Sequence, residues 1–193
     1  VEDLGAEFAA GPTIPTAQHF WFNITRAPMD DPKVREALIL AIDRDGLIAA
    51  LGLSGWTASN RIVATGVAED EGSIGERWPD MDLAGRQAVA AARVTRWRGG
   101  KPAAIKLRLA MPQGPGSDLL FKRLAGDLAK AGLVAERVGP GDAADLRLID
   151  AVARYARVSW FLNQLHCSSQ RNLCNAEADG LVVAEALAEG LDG

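Results

Sequence analysis

The fold class follows from residues 104–138, which read AIKLRLAMPQGPGSDLLFKRLAGDLAKAGLVAERV. Apolar and basic side chains alternate from Ile105 to Met111, which is the pattern of a strand with one buried face. After the turn PQGPGS, apolar spacing predicts a helix from about Asp118, and Gly132 supplies the left-handed residue that ends it. LVAERV then predicts a second strand. A strand, a helix and a strand within about 35 residues predict parallel pairing with a right-handed crossover.

Further elements are predicted on both sides of this unit. QHFWFNI (residues 18–24) and DLRLID (residues 145–150) predict two more strands, and VSWFLNQL predicts a short helix or an apolar turn. Helical patterns occupy residues 82–97 and the stretch that begins at Asn175. Residues 52–80 lack steady periodicity and predict a long irregular loop. The predicted fold class is therefore α/β, with a small mixed sheet flanked by helices.

Residues 22–47, FNITRAPMDDPKVREALILAIDRDGL, combine a strand end, a turn and two helices. Pro28 marks the turn, and Pro32 behind Asp31 has the pattern of a first helical position behind an N-cap. Apolar residues then recur with helical spacing and predict one apolar face, made of Val34, Ala37, Leu38, Ala41 and Ile42. The charged run DRD interrupts this pattern before a second short helix at about residues 46–51.

Composition excludes several classes of protein. The 193 residues are enough to bury a real core, and 25 acidic against 21 basic residues, a net charge of -4, argue against a general nucleic-acid binder. The sequence contains no apolar run long enough to predict a membrane span. Because the chain starts with Val1, we expect a processed product or a piece of a longer protein.

The cysteines, Cys167 and Cys174, both lie in HCSSQRNLC. Their spacing fits neither the zinc nor the redox form of C-x-x-C. A disulfide across this small loop would contribute about 2 to 3 kcal/mol and would indicate an oxidising compartment. The sequence is equally consistent with two free thiols at Cys167 and Cys174. A metal site with His166 lacks an evident fourth ligand nearby, so no metal is predicted.

Catalytic patterns are scarce. His19 and His166 are the only histidines, and the adjacent carboxylates in the sequence have side chains that diverge. The turn from Gly114 to Ser117 would offer backbone N–H groups to an anion, which makes a small hydrolase or transferase the alternative function. We expect no enzyme activity and no cofactor. Loop tryptophans are candidates for lining a ligand cleft: Trp56, Trp78 and Trp160.

FNITRAPMDDPKVREALILAIDRDGLI resembles the signature of family 5 extracellular solute-binding proteins, the receptors for peptides, nickel and related ligands in ABC importers. That family has an Asn at a strand end, a Pro turn, Asp, Val-Arg, Ala and then Ala-Ile-Asp-Arg. The matching residues here are Asn23, Pro28, Asp31, Val34, Arg35, Ala37, Ala41, Ile42, Asp43 and Arg44. LAKAGLVAERV and CNAEADGLVVAEA keep the family's order, so the resemblance covers residues 18 to about 188.

The resemblance implies the C-terminal α/β lobe of a two-lobed periplasmic binding protein. Residues 1–17 would be a linker or the end of the preceding lobe, and residues 18–193 would be the C-terminal lobe, incomplete at its end. The implied partners are a peptide or small-molecule ligand, the N-terminal lobe and an ABC permease, with membrane contact only through the permease or a removed anchor. A periplasmic or extracytoplasmic location is implied, which favours a disulfide between Cys167 and Cys174.

The resemblance also indicates a ligand site within ARYARVSWFLN, residues 153–163. In peptide-binding members of the family, an Ala-Asp-Tyr segment precedes a Phe-Leu-Asn-like stretch, and its aspartate receives the peptide's α-ammonium. The aspartate position is Arg154 in this chain. This arginine either holds a carboxylate or phosphate or points into solvent. The expected ligand-binding residues are Arg154, Tyr155, Trp160 and Asn163.

Overall fold

The computed structural model describes residues 16–52, 55–59, 61–63, 67, 77–100, 104–154, 157–169 and 174–191. Its helices and strands are, in chain order, β1 (Thr16–Phe22), α1 (Pro32–Ala41), α2 (Arg44–Leu51), α3 (Leu83–Arg98), β2 (Ile105–Ala110), α4 (Pro115–Lys130), β3 (Leu133–Val138), β4 (Leu146–Val152), α5 (Val158–Asn163) and α6 (Ala176–Leu191). Within these residues, no helix combines the length and apolar character that crossing a membrane requires.

The four strands form one mixed sheet in the order β1-β4-β2-β3. Strand β2 pairs in parallel with both β3 and β4, whereas β1 runs antiparallel to β4 at one edge. The β2-α4-β3 unit confirms the predicted strand-helix-strand crossover, with Leu107 opposite Ala135. The predicted fold class, α/β with a small mixed sheet flanked by helices, is therefore confirmed.

Some element boundaries differ from the predictions by two or three residues. The helix predicted from about Asp118 begins at Pro115, because a proline fits the first helical position and Gly114 precedes it with a φ of 129°. VSWFLNQL, predicted as a helix or a turn, forms the short helix α5. In the predicted long loop, the described residues beyond Gly52 and before Leu83 contain neither helix nor strand. Gly132 follows the end of α4 and has the predicted left-handed conformation, with a φ of 80°.

The main core lies between the sheet and helices α1, α3 and α4. The apolar face of α1 supplies Val34, Ala37 and Leu38, all at most 2% exposed. Strand β2 contributes Leu107 and Leu109 from the centre of the sheet. A fully buried apolar side chain contributes about 1.5 to 3 kcal/mol, so this layer carries most of the fold's stability.

A second, smaller core lies beyond the end of β4. It contains Val63 and Val67 from the loop, Ala153 after β4, and Trp160 and Phe161 from α5. These residues join the end of β4 and helix α5 to a loop that is far from both in the sequence. The second core therefore fixes the position of α5 relative to β4.

Candidate functional site

The start of the signature segment, residues 22–47, is held by Asp145, which precedes β4. The Asn23 backbone N–H donates to the Asp145 carbonyl oxygen at 2.8 Å. The Arg26 Nη2 lies 2.5 Å from Asp145 Oδ1, and the Arg108 backbone N–H donates to Asp145 Oδ2 at 2.8 Å. Burial raises the pKa of the Asp145 carboxyl, and the charge and hydrogen bond of Arg26 oppose that rise. This end of the signature segment is a structural attachment to the sheet.

The rest of the signature segment supplies two helix caps, Asp31 and Asp43. The Asp31 side chain accepts the Lys33 N–H at 2.8 Å, which caps α1 as predicted. Asp43 caps α2 by accepting the Gly46 N–H at 2.9 Å. The Asp43 backbone N–H itself donates to Asp127 Oδ2 on α4 at 3.0 Å. Asp31 therefore fixes the start of α1, and Asp43 fixes the start of α2 and joins it to α4.

A cleft of about 410 Å³ opens between the end of β4 and helix α5. Its lining residues, called here the Arg154 cleft, are Ala151, Val152, Arg154, Trp160, Asn163 and Gln164. Three of the four residues expected to bind ligand, Arg154, Trp160 and Asn163, line this one cleft. The fourth, Tyr155, lies outside the described residues.

Trp160 is the fixed wall of the Arg154 cleft. It is only 6% exposed, and its ring packs edge-on against Phe161 with the centroids 5.0 Å apart. The Gln164 Nε2 donates to the Trp160 carbonyl oxygen at 3.3 Å, one turn along α5. Asn163 is exposed at the end of the same helix. A buried ring beside exposed polar groups is the usual composition of a ligand site.

Arg154 brings positive charge to the cleft. Its side chain is exposed and forms no ion pair or hydrogen bond with any residue in the described part of the chain. The surrounding sequence, residues 151–176, contains Arg154, Arg157 and Arg171 but no Asp or Glu. The chain as a whole has a net charge of -4, so this basic region is local.

A disulfide joins Cys167 to Cys174, with the Cα atoms 5.0 Å apart. It confirms the bonded alternative for this pair over two free thiols. The Cys167 N–H donates to Asp179 Oδ2 on α6 at 2.9 Å, and Asn175 Oδ1 accepts the Glu177 N–H at 2.9 Å to cap that helix. The disulfide loop therefore connects the end of the cleft helix α5 to α6.

Metal-binding geometry is not found in the described residues, where no three His, Cys, Asp or Glu side chains converge. His166 Nε2 lies 3.8 Å from Asp179 Oδ2, and His166 Nδ1 contacts Ser168 Oγ at 2.8 Å. Both ring nitrogens thus have polar neighbours, Asp179 on α6 and Ser168 beside Cys167.

The turn from Gly114 to Ser117 borders a second cleft, of about 330 Å³. The first turn of α4 places its own carboxylate, Asp118, there, and Arg137 pairs with that carboxylate. Arg137 also donates to the Pro112 carbonyl oxygen. An anion at this helix start would meet the negative charge of Asp118, so the geometry does not favour the hydrolase or transferase alternative.

Sequence reasoning missed part of the Arg154 cleft. Ala151 and Val152 were not predicted, because β4 was expected to end at Asp150 and instead continues to Val152. Gln164 was also not predicted, although its place directly after the predicted Asn163 could have indicated it. Two other candidate tryptophans lie elsewhere: Trp78 packs on the main core under the Arg77 guanidinium, and Trp56 does not line the cleft.

Solved structures with the same fold are binding proteins. Burkholderia pseudomallei OppA has a TM-score of 0.76 and 20% identity, with 91% of this chain and 37% of that chain covered. Haemophilus influenzae OppA, in complex with RPPGFSPFR, has a TM-score of 0.71 and 18% identity, with 98% and 43% covered. The Escherichia coli murein tripeptide binding protein MppA has a TM-score of 0.65 and 19% identity, with 89% and 36% covered. This chain thus spans about two fifths of each of those proteins.

A search of curated proteins found no match. The family described as bacterial extracellular solute-binding proteins, family 5 Middle, matches residues 7–154. That range includes the signature segment, the strand-helix-strand unit and Arg154, and it is most of the chain. Proteins of this family bind solutes and are not enzymes. The chain belongs to family 5 of the bacterial extracellular solute-binding proteins.

Proposed function

We propose that this chain is the C-terminal, ligand-binding lobe of an ABC importer receptor that captures peptides or a related solute, with anionic solutes included. The observation that carries the proposal is the Arg154 cleft, which brings Arg154, Trp160 and Asn163 to one surface at the end of β4. In open α/β sheets, ligands bind in the crevice outside the carboxyl ends of the strands. Parallel strand β4 ends at this cleft.

The ligands of similar proteins support a peptide as the solute. Haemophilus influenzae OppA is described in complex with a nonapeptide, and Escherichia coli MppA is described as binding a murein tripeptide. The Arg154 cleft has the mixed lining that a peptide needs, since Ala151, Val152 and Trp160 are apolar and Asn163 and Gln164 carry amides. Tyr155, next to Arg154 in sequence, is proposed as a further ligand contact.

The proposed mechanism is capture by hinge closure. Residues 18–193 would form the C-terminal lobe, residues 1–17 would lead from the preceding lobe, and ligand would be held between the two. The closed form would dock on a permease, and no covalent step is required. The disulfide between Cys167 and Cys174 agrees with an oxidising, extracytoplasmic location. A sensory role would use the same capture step without transport.

Thermal stabilisation of the complete encoded polypeptide tests this function. The panel contains RPPGFSPFR, tripeptides, an acidic oligopeptide, a sugar and nickel. A peptide at 100 times its Kd is expected to add about 2.7 kcal/mol to the free energy of unfolding and so raise the Tm. Asn163→Ala, at an exposed position in the cleft, is expected to weaken that response, whereas Thr95→Ala, at an exposed position on α3, is not. Stabilisation by the sugar or nickel alone would contradict a peptide receptor.

A further inference from the structure

We propose that the guanidinium of Arg154 binds a free carboxylate of the ligand and thereby makes the Arg154 cleft selective for acidic over cationic ligand ends. The inference rests on the proposed function, because it assigns the charge preference of that same site. The carboxylate is either the C-terminal end of a peptide or an acidic side chain, and the test separates these two sources.

The first support is the setting of the Arg154 side chain. Most exposed arginines lie on open, convex surface, where water screens their charge. Arg154 instead lines a cleft of about 410 Å³ whose other walls include Ala151, Val152 and the buried Trp160. Apolar walls reduce solvent screening and strengthen a charge-assisted hydrogen bond to a ligand. The planar guanidinium also presents paired donors that match the two oxygens of a carboxylate.

The second support is the absence of neighbouring acidic residues in the sequence of the cleft segment. Residues 151–176 contain no Asp or Glu, and Arg154 has no carboxylate partner among the described residues. Asp179 lies near the end of this region, but its carboxylate accepts the Cys167 N–H at 2.9 Å. Asp150 precedes this segment on β4, but the described lining of the cleft contains no acidic side chain, so a ligand ammonium there would meet Arg154 without a carboxylate partner, which selects against it.

The charge available favours a carboxylate over a phosphate group. A carboxylate carries one negative charge, which one guanidinium neutralises in a bidentate pair. A phosphate group carries about -1.5 to -2 at pH 7 and is usually held by several cations or backbone N–H groups. The lining residues of the Arg154 cleft include one cationic side chain, and the remaining polar ones are the amides of Asn163 and Gln164.

Calorimetric titration of the complete polypeptide with one capped peptide series tests the inference. N-acetyl-Ala-Phe-Ala has only a C-terminal carboxylate, N-acetyl-Glu-Phe-Ala-amide has only a side-chain carboxylate, Ala-Phe-Ala-amide has only an ammonium, and N-acetyl-Ala-Phe-Ala-amide has no charge. We expect at least one carboxylate form to bind about 10- to 100-fold more tightly than the uncharged form. The ammonium form is expected to bind no better than the uncharged one. The stronger of the two carboxylate forms identifies the source.

Variants separate a local contact from general charge. Arg154→Ala is expected to remove the preference for the carboxylate peptides over the uncharged one, and Arg154→Lys should restore part of the preference. Arg96→Ala removes the same charge from an exposed position on α3, outside the cleft, and should leave the preference for carboxylate unchanged.

Three outcomes would overturn the inference. Equal binding of all four peptides would do so and leave the peptide-binding function standing. An equal loss in the Arg96→Ala variant would assign the preference to overall charge. Binding of none of the four peptides would contradict the peptide function as well.

Discussion

Arg26 and Asp145 are joined by a 2.5 Å contact between Nη2 and Oδ1, although 119 residues separate them in the chain. Asp145 is 4% exposed, and the same carboxylate accepts the Arg108 backbone N–H of β2. One buried side chain therefore attaches the signature segment to the sheet just before β4. The signature's position in the fold depends on a residue far outside it.

Replacing Asp145 by Asn is expected to lower the free energy of unfolding by about 1 to 3 kcal/mol. The amide retains the shape and one acceptor for the Arg108 N–H, but its NH2 group replaces the oxygen that accepts the hydrogen bond from Arg26. Arg26 is 41% exposed, so solvent limits the loss below that of a fully buried pair. Urea unfolding measures the change. Asp150→Asn, at an exposed position on β4, is the control and should stay within about 0.5 kcal/mol.

The cost of Asp145→Asn should depend on pH with an unusual sign. Burial raises the folded-state pKa of Asp145 above its ordinary value of 3.8, so the folded protein holds the proton of this carboxyl more tightly than the unfolded chain does. The resulting contribution to stability is fully present below the unfolded pKa and is lost as pH rises through the folded pKa. Urea unfolding should therefore show a larger difference between wild type and variant near pH 4 than at pH 7. A difference that grows with pH would mean that Arg26 outweighs burial.

Gly46 should tolerate no side chain, because a Cβ there would clash with the Asp43 carboxylate that caps α2. Gly46→Ala is expected to cost about 1 to 2 kcal/mol through loss of that cap. Gly126→Ala is the matched control, since Gly126 lies inside α4 with no atom near its added Cβ. That change should stabilise the protein by about 0.5 to 1 kcal/mol. Thermal melts of both variants decide the point, and two changes of equal sign would refute it.

Reduction of the disulfide between Cys167 and Cys174 is expected to cost about 2 to 3 kcal/mol, from the regained freedom of the small loop in the unfolded chain. Cleavage within α6 should become faster, because that helix is largely exposed and is attached through the loop and Asp179. Melting and limited proteolysis with and without a thiol reductant measure both effects. A variant with both cysteines changed to Ser should not respond to the reductant. Wild type that also fails to respond would show that the bond does not hold α6.

Local patterns predicted most of the elements of this protein. Asp31 and Pro32 indicated the start of α1, Gly132 indicated the end of the helix before β3, and alternation indicated β2. The start of α4 was placed three residues late because Gly, Pro and Ser favour turns as well as first helical positions. The family, too, was visible from the spacing of residues 22–47 alone.

The sequence by itself thus determined the α/β class and the parallel unit, because these depend on patterns between near neighbours, whereas Arg154, Trp160 and Asn163 were indicated by the resemblance to the family. Only the tertiary structure decided the strand order, the attachment at Asp145 and the closing of the Cys167–Cys174 loop. It also decided that Ala151 and Val152 share a cleft with Trp160. That juxtaposition depends on the packing of Trp160 with loop residues Val63 and Val67, and hydrophobic burial is non-directional, so no local pattern records which distant partner it will join.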